Sequence, residues 1–176
     1  IYVLSTIDNR QYLVNNTEDK QNAADTLAKL SKKLSEFIDC LVKKKLDFDD
    51  EQQRGIERLK KNFNPNNITE NIGSFDDIFS DSTSYSLNKG SKIVFCIRSK
   101  KDNKIHNDNL LMFVGIHELG HLMSKSIGHN EEFWKNFKFL LQEAIKCGQY
   151  EYKNNHYKEN PTEYCGVTVS NSPIDK

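Results

Sequence analysis

The chain has 176 residues, and its 25 Lys plus Arg balance 25 Asp plus Glu, so the formal net charge is zero. That length suits one domain able to bury its own core, and the balanced charge gives no long-range pull toward nucleic acid or an anionic membrane. No run approaches the roughly 20 apolar residues that a membrane-spanning helix needs. The chain begins at Ile1 rather than at methionine, which leaves room for a signal, anchor or pro-segment upstream.

The stretches "IYVLS" and "YLV" flank "TIDNRQ", a pattern that predicts a short β-hairpin around an Asp-Asn turn. Over residues 18–46 the apolar positions Ala24, Leu27, Leu30, Leu34, Phe37, Ile38, Leu41 and Val42 recur at three and four, which predicts a long amphipathic helix packed on the core. A second helix is expected over 49–63, stopped by "NPNN". Residues 64–90 are polar and weakly periodic and read as a surface connection with one or two short extended pieces.

"SKIVFCIRS", residues 91–99, is a β-branched and aromatic run bounded by Gly90 and "KKDNK", and it predicts a strand. A helix capped by Asn107 or Asp108 should then run through "NLLMFVGIHELGHLMSKSI". It is apolar almost all round and is therefore expected to be buried. Gly128 fits the residue after that helix, in the left-handed region, and Asn130 with Glu131 and Glu132 fits the start of the next, "EEFWKNFKFLLQEAIKC". In that helix Phe133, Trp134, Phe137 and Phe139 are expected to pack behind the histidine helix. The tail carries a short strand at "YCGVTV". These elements add up to an α+β fold, a small and mainly antiparallel sheet packed on a long N-terminal helix and a buried histidine helix. A single domain over 1–176 is expected, with 1–90 as scaffold and 91–176 as the half that holds the site.

The cysteines Cys40, Cys96, Cys147 and Cys165 form no CxxC pair, so neither a structural zinc knuckle nor a thioredoxin-like dithiol is indicated. Cys40, Cys96 and Cys147 sit among apolar neighbours and read as reduced core thiols. A reducing intracellular compartment or a virion is the matching location.

The histidine helix carries H-E-x-x-H as "HELGH". His117 and His121 are four apart, so on a helix they share one face and can bind one ion. Glu118 sits where its carboxylate can reach a metal-bound water without binding the metal. Zn2+ would lower the pKa of that water toward about 7 and polarise a carbonyl, while Glu118 takes the proton and later returns it to the leaving amine. With the frequencies of His and Glu in this chain, the pattern would arise by chance on the order of one time in a hundred.

A catalytic zinc takes three protein ligands. His129 is the expected third, with Glu131, Glu132 and Glu143 as alternatives. In a continuous helix, position 129 would lie about 12 Å beyond His121 along the axis. A turn is therefore required to bring it back.

"HELGH" followed by "GHNEEFWKNF" resembles the WLM and SprT-like zinc metallopeptidases, in which a third histidine and an aromatic-rich helix follow H-E-x-x-H. The block from "LLMFVGIHELGH" through "NPTEYCGVTVSNSP" is also similar to uncharacterised HEXXH proteins of large DNA viruses. The resemblance covers the last eighty or so residues well and the first half loosely. It implies a zincin-like fold, His117, His121 and His129 as zinc ligands, and Glu118 as general base. Seven residues separate His121 from His129, more than in the metzincin pattern, and no downstream methionine supplies a Met-turn. The WLM and SprT-like groups include enzymes that cleave proteins crosslinked to DNA, yet nucleic acid is not indicated here by charge.

The partner implied is a protein or peptide substrate, held in extended form along the strand at 91–98. For the oxyanion, Tyr150, Tyr152, His156, Tyr157, Tyr164 and Arg98 are all chemically able. Two readings compete with a zinc metalloendopeptidase. One is a non-catalytic zinc-stabilised binding module, and the other is a zinc-free helical protein whose histidines are core residues. Glu118 speaks against the first, because a structural zinc has no use for a carboxylate beside it.

Overall fold

The computed structural model describes residues 1–72 and 84–175. The chain opens with the expected hairpin, β1 (Tyr2–Leu4) antiparallel to β2 (Gln11–Leu13). The long helix α1 (Lys20–Lys43) follows, and Ala24, Leu27, Leu30, Leu34, Phe37, Ile38 and Leu41 are all buried along it. Its interior therefore matches the three-and-four spacing of the sequence. After a short 3-10 turn (Lys45–Asp47) comes α2 (Asp50–Asn62), started by a capping box between Asp49 and Gln52.

β3 (Ile68–Glu70), β4 (Tyr85–Leu87) and β5 (Lys92–Phe95) form a three-stranded sheet in the order β3-β5-β4. β5 runs parallel to β3 and antiparallel to β4. Then come α3 (Asp108–Met123), α4 (Glu131–Lys146), the four-residue α5 (His156–Glu159), the hairpin β6 (Thr162–Tyr164) and β7 (Val167–Val169), and a final 3-10 turn (Pro173–Asp175). The architecture is mixed α and β, with five helices and small, mainly antiparallel sheets among the described residues. There the β-structure is split into three separate sheets rather than gathered into one.

α3 is the centre of the molecule. It packs against α1, α2 and α4, and 12 of its 16 residues are buried, which is why it shows no polar face. Where α1 crosses it, a methyl on Gly115 would sit 3.2 Å from a Leu34 methyl. Behind the sheet, Arg98 donates to Glu70 at 2.7 Å and to Asp19 at 2.5 Å, tying the end of β5 to β3 and to the start of α1. The same guanidinium, helped by the Thr17 hydroxyl, holds the Asp19 carboxyl below its usual value. No helix among the described residues is long and apolar enough to cross a membrane.

The cysteines correct the reading of the sequence. Cys40, Cys96 and Cys147 are not reduced thiols: Cys40 is bonded to Cys147 and Cys96 to Cys165. Cys40 lies in the last turn of α1 and Cys147 caps α4, so packing the two helix ends brings their Cα atoms to 6.4 Å. The turn of the β6–β7 hairpin likewise sets Cys165 beside the end of β5. Apolar neighbours suit a buried disulfide as well as a buried thiol. The expectation of a reducing compartment rested on free thiols and loses that support.

The Cys40–Cys147 bridge spans 107 residues, so it removes much of the freedom of the unfolded chain. Replacing both cysteines by serine should lower the unfolding free energy by about 2–5 kcal/mol. Urea unfolding of the variant and the parent under non-reducing conditions measures it.

Candidate metal centre

The site is built on α3. Asn107 caps that helix by accepting from the Leu110 amide at 2.8 Å, which sets its start and so the facing of every later residue. Four residues apart in the last two turns, His117 and His121 project from the same side.

The sequence predicts that this helix continues through residue 127, and the structure stops it at Met123. Ser124 is extended, with φ −86° and ψ 146°. No glycine or proline marks the stop, because the terminal carbonyls find donors from elsewhere. Asn62 donates to the Leu122 carbonyl at 3.1 Å and Arg58 to that of Met123 at 2.8 Å. Lys89 donates to the carbonyls of His121, Ser124 and Ser126 at 2.6, 2.9 and 2.6 Å. A helix whose orphan carbonyls are satisfied sideways can end abruptly.

The return loop is held just as firmly. The Glu132 carboxylate accepts from the amides of Lys125 and Ser126 at 2.8 and 3.0 Å and from the Ser126 hydroxyl. Asn130 caps α4 at the Phe133 amide, 3.0 Å. Gly128, at φ 94°, makes the last turn in the left-handed region, and His129 comes back to face the helix.

The three imidazoles converge. Nε2 of His129 lies 3.2 Å from Nε2 of His121 and 3.2 Å from Nε2 of His117, and one ligand atom from each falls within 4.8 Å of the others. A tetrahedral ion with metal–nitrogen bonds of about 2.0 Å has ligand–ligand edges of about 3.3 Å. The spacing therefore fits one small ion. It fits a hydrogen-bonded histidine trio poorly, since one nitrogen faces two others and has a single proton to offer.

Burial, together with His117, His129 and Lys89, pushes the His121 imidazole down to about 3. Burial and His117 also lower His129, against an opposing pull from Glu118. Both rings are neutral at pH 7 and keep the lone pairs that a metal requires.

Phe133 is the shared wall. It stacks on His121 with centroids 4.2 Å apart and packs on His117 at 5.0 Å and on His129 at 4.9 Å. A methyl on Gly120 would meet its ring at 3.0 Å, so the glycine in "HELGH" is the room that Phe133 occupies. Phe137 and Phe139 are buried as expected. Trp134 is 42% exposed, yet its ring still lies against those of Phe133, His129 and Phe137 at 5.2, 6.0 and 6.1 Å.

Glu118 is 2% exposed, and its Oε2 has no hydrogen-bond partner among the described residues. Its other oxygen lies 3.5 Å from Nδ1 of His117. Both residues line a cleft of about 400 Å3 with His121, His129, Ile127 and the segment Ser84, Tyr85, Ser86, Asn88 and Lys89. The sequence reading places one or two short extended pieces within 64–90 but does not assign them to the site, because a strand of three residues has no readable period.

The other sequence candidates lie elsewhere. Glu132 is engaged by the return loop, and Glu143 is buried between Lys44 and Lys146 at 2.6 and 3.2 Å. Arg98 is spent on Glu70 and Asp19. Tyr164 donates to the Cys96 carbonyl at 2.7 Å and touches the Ser84 hydroxyl. Tyr150 and Tyr157 are buried on Phe113. Tyr152 donates to Asp175, and the His156 ring packs on Tyr157. None of these six lines the cleft, and Tyr164 alone reaches its wall, through Ser84.

The uncharacterized protein R325 of Acanthamoeba polyphaga mimivirus is 34% identical over 170 residues, which cover 96% of this chain and 81% of that protein. The chain belongs to the family of this mimivirus protein. The uncharacterized protein 042R of Invertebrate iridescent virus 3 is 36% identical over 91 residues, 51% of this chain and 54% of its own. The uncharacterized protein 136R of Invertebrate iridescent virus 6 is 37% identical over 70 residues, 39% of each chain. No family model matches the chain, and no solved structure matches it.

The carboxylate of Glu132 also gives the return loop a pH dependence. Burial pushes its pKa up, but the Ser126 hydroxyl and the Lys125 and Ser126 amides outweigh that and bring it from 4.5 to about 2. A depressed folded-state pKa contributes stability that is complete above the unfolded value and is lost as pH falls toward the folded one. Glu132→Gln should therefore be less stable at pH 7 by about 1–2 kcal/mol after allowance for solvent screening. The gap to wild type should close between pH 4.5 and 2, which thermal unfolding at a series of pH values measures.

Proposed function

We propose that the chain is a zinc-dependent metalloendopeptidase of the WLM and SprT-like kind, with a zincin-like arrangement of helix and edge strand. His117, His121 and His129 hold the zinc, and Glu118 is the acid–base group. The observation that carries this reading is the juxtaposition of three Nε2 atoms at tetrahedral spacing with a buried carboxylate oxygen that has no partner among the described residues, in one cleft. Zn2+ in a three-histidine donor set supplies a Lewis acid that lowers the pKa of water and polarises a carbonyl.

The residues of the chain do the rest. Glu118 takes a proton at Oε2 from the attacking water, holds it away from solvent, and gives it to the leaving amine. Phe133 keeps the three rings from turning and closes the site from behind. A structural zinc site has no role for Glu118, and a buried carboxylate oxygen without a partner is costly unless it is used.

The sequence expectation of a peptide along residues 91–98 needs correction. β5, inside that stretch, is flanked by β3 on one side and β4 on the other, so its backbone is already engaged. Among the described residues the outer strand of the sheet beside the cleft is β4, and Ser84, Tyr85 and Ser86 line the opening. An extended protein segment that enters the cleft past β4 carries its scissile carbonyl to the histidines.

Elemental analysis of the protein purified without added metal or chelator should find about one zinc per chain, lost in His117→Ala, His121→Ala and His129→Ala. Zinc kept by His129→Ala would move the third ligand to another residue. Glu118→Gln should keep the zinc and lose hydrolysis of a denatured protein substrate by about 10²–10⁴-fold. An equally active Glu118→Gln would sink the mechanism.

A further inference from the structure

Lys89 is not part of H-E-x-x-H, and it belongs to a different element, yet its ammonium is the point on which the ligand backbone hangs. It carries three protons and places one on each of three carbonyls, those of His121, Ser124 and Ser126. The first belongs to a ligand. The other two belong to the chain that leaves α3 and leads to His129. Two of the three histidines are thus referred to one nitrogen atom on the β4–β5 turn.

The turn is shaped for that reach. Asn88, Lys89 and Gly90 all have positive φ, at 46°, 54° and 108°. Non-glycine residues adopt that region only when their surroundings hold them there. The amides of Gly90 and Ser91 both donate to the Leu87 carbonyl, at 3.0 Å each. Gly90 is pressed so closely on the Asn62 carbonyl that a methyl there would lie 2.2 Å from its oxygen. The backbone is bent out of its preferred regions, and the result is a side chain aimed at the end of α3.

We infer that Lys89 is a positioning residue of the metal centre: by holding the His121, Ser124 and Ser126 carbonyls together it sets the separation of the His121 and His129 ring nitrogens. This rests on the tri-histidine site being a metal site. Asn62 provides the contrast. Its side chain satisfies the carbonyl of Leu122, so it stabilises the same helix end without donating to a ligand residue or to the return loop, whereas the Arg58 charge also acts on Glu132.

The test compares wild type, Lys89→Met and Asn62→Leu by thermal unfolding, by zinc affinity in competition with a chelator, and by the visible absorption of the Co2+-loaded protein. Lys89→Met should bind zinc about 10–100-fold more weakly, as for other groups that orient metal ligands, with a changed cobalt spectrum. Asn62→Leu should lose stability while keeping wild-type affinity and spectrum. Wild-type affinity and spectrum in Lys89→Met would overturn the inference, and so would equal losses in the two variants. Should Lys89→Met fail to fold, Lys89→Gln, which keeps a polar donor, is read by the same criteria. Absence of zinc and cobalt binding in wild type would instead remove the metal centre itself, and this inference with it.

Discussion

Five carbonyls at the end of α3 and just beyond it, those of His121, Leu122, Met123, Ser124 and Ser126, are bonded by side chains from α2 and from the β4–β5 turn. On this the site depends. A helix normally satisfies its last carbonyls with water or with a glycine turn of its own. Supplying the donors from outside lets the helix end within one residue and frees the next seven to fold back. Without that reversal, His129 stays about 12 Å from His121 along the helix axis and no site forms.

The surroundings then hold the three rings ready. Each touches Phe133, which is itself seated in the space left by Gly120. A glycine inside a helix costs roughly 0.5–1 kcal/mol relative to alanine, a cost that closer packing of α4 offsets. Burial keeps His121 neutral, and it leaves Glu118 with one oxygen unanswered among the described residues. Such a group is tolerated where it has chemical use.

Much of this was legible from residue order. Spacing put His117, Glu118 and His121 on one turn, and Asn107 and Asn130 marked the starts of the two helices they cap. Local rules reach that far because caps and helical faces involve residues three or four apart. The remainder depended on residues far apart in sequence. The disulfide partners are 107 and 69 residues apart, and no spacing rule pairs them. The stop of α3 was invisible for the same reason, since its donors stand at 58, 62 and 89. β4 and α5 are three and four residues long, too short to show a period.

The two disulfides set an upper limit on how far this chain can come apart. The Cys40–Cys147 bridge encloses α2, the three-stranded sheet, α3 and its histidines, and the whole of α4. A peptide bond cut anywhere between those cysteines leaves both pieces covalently joined. Such a nicked molecule keeps its mass except for one added water, and it migrates as two fragments only after reduction. For a protein read as a peptidase, self-cleavage in this region would pass unseen on a non-reducing gel.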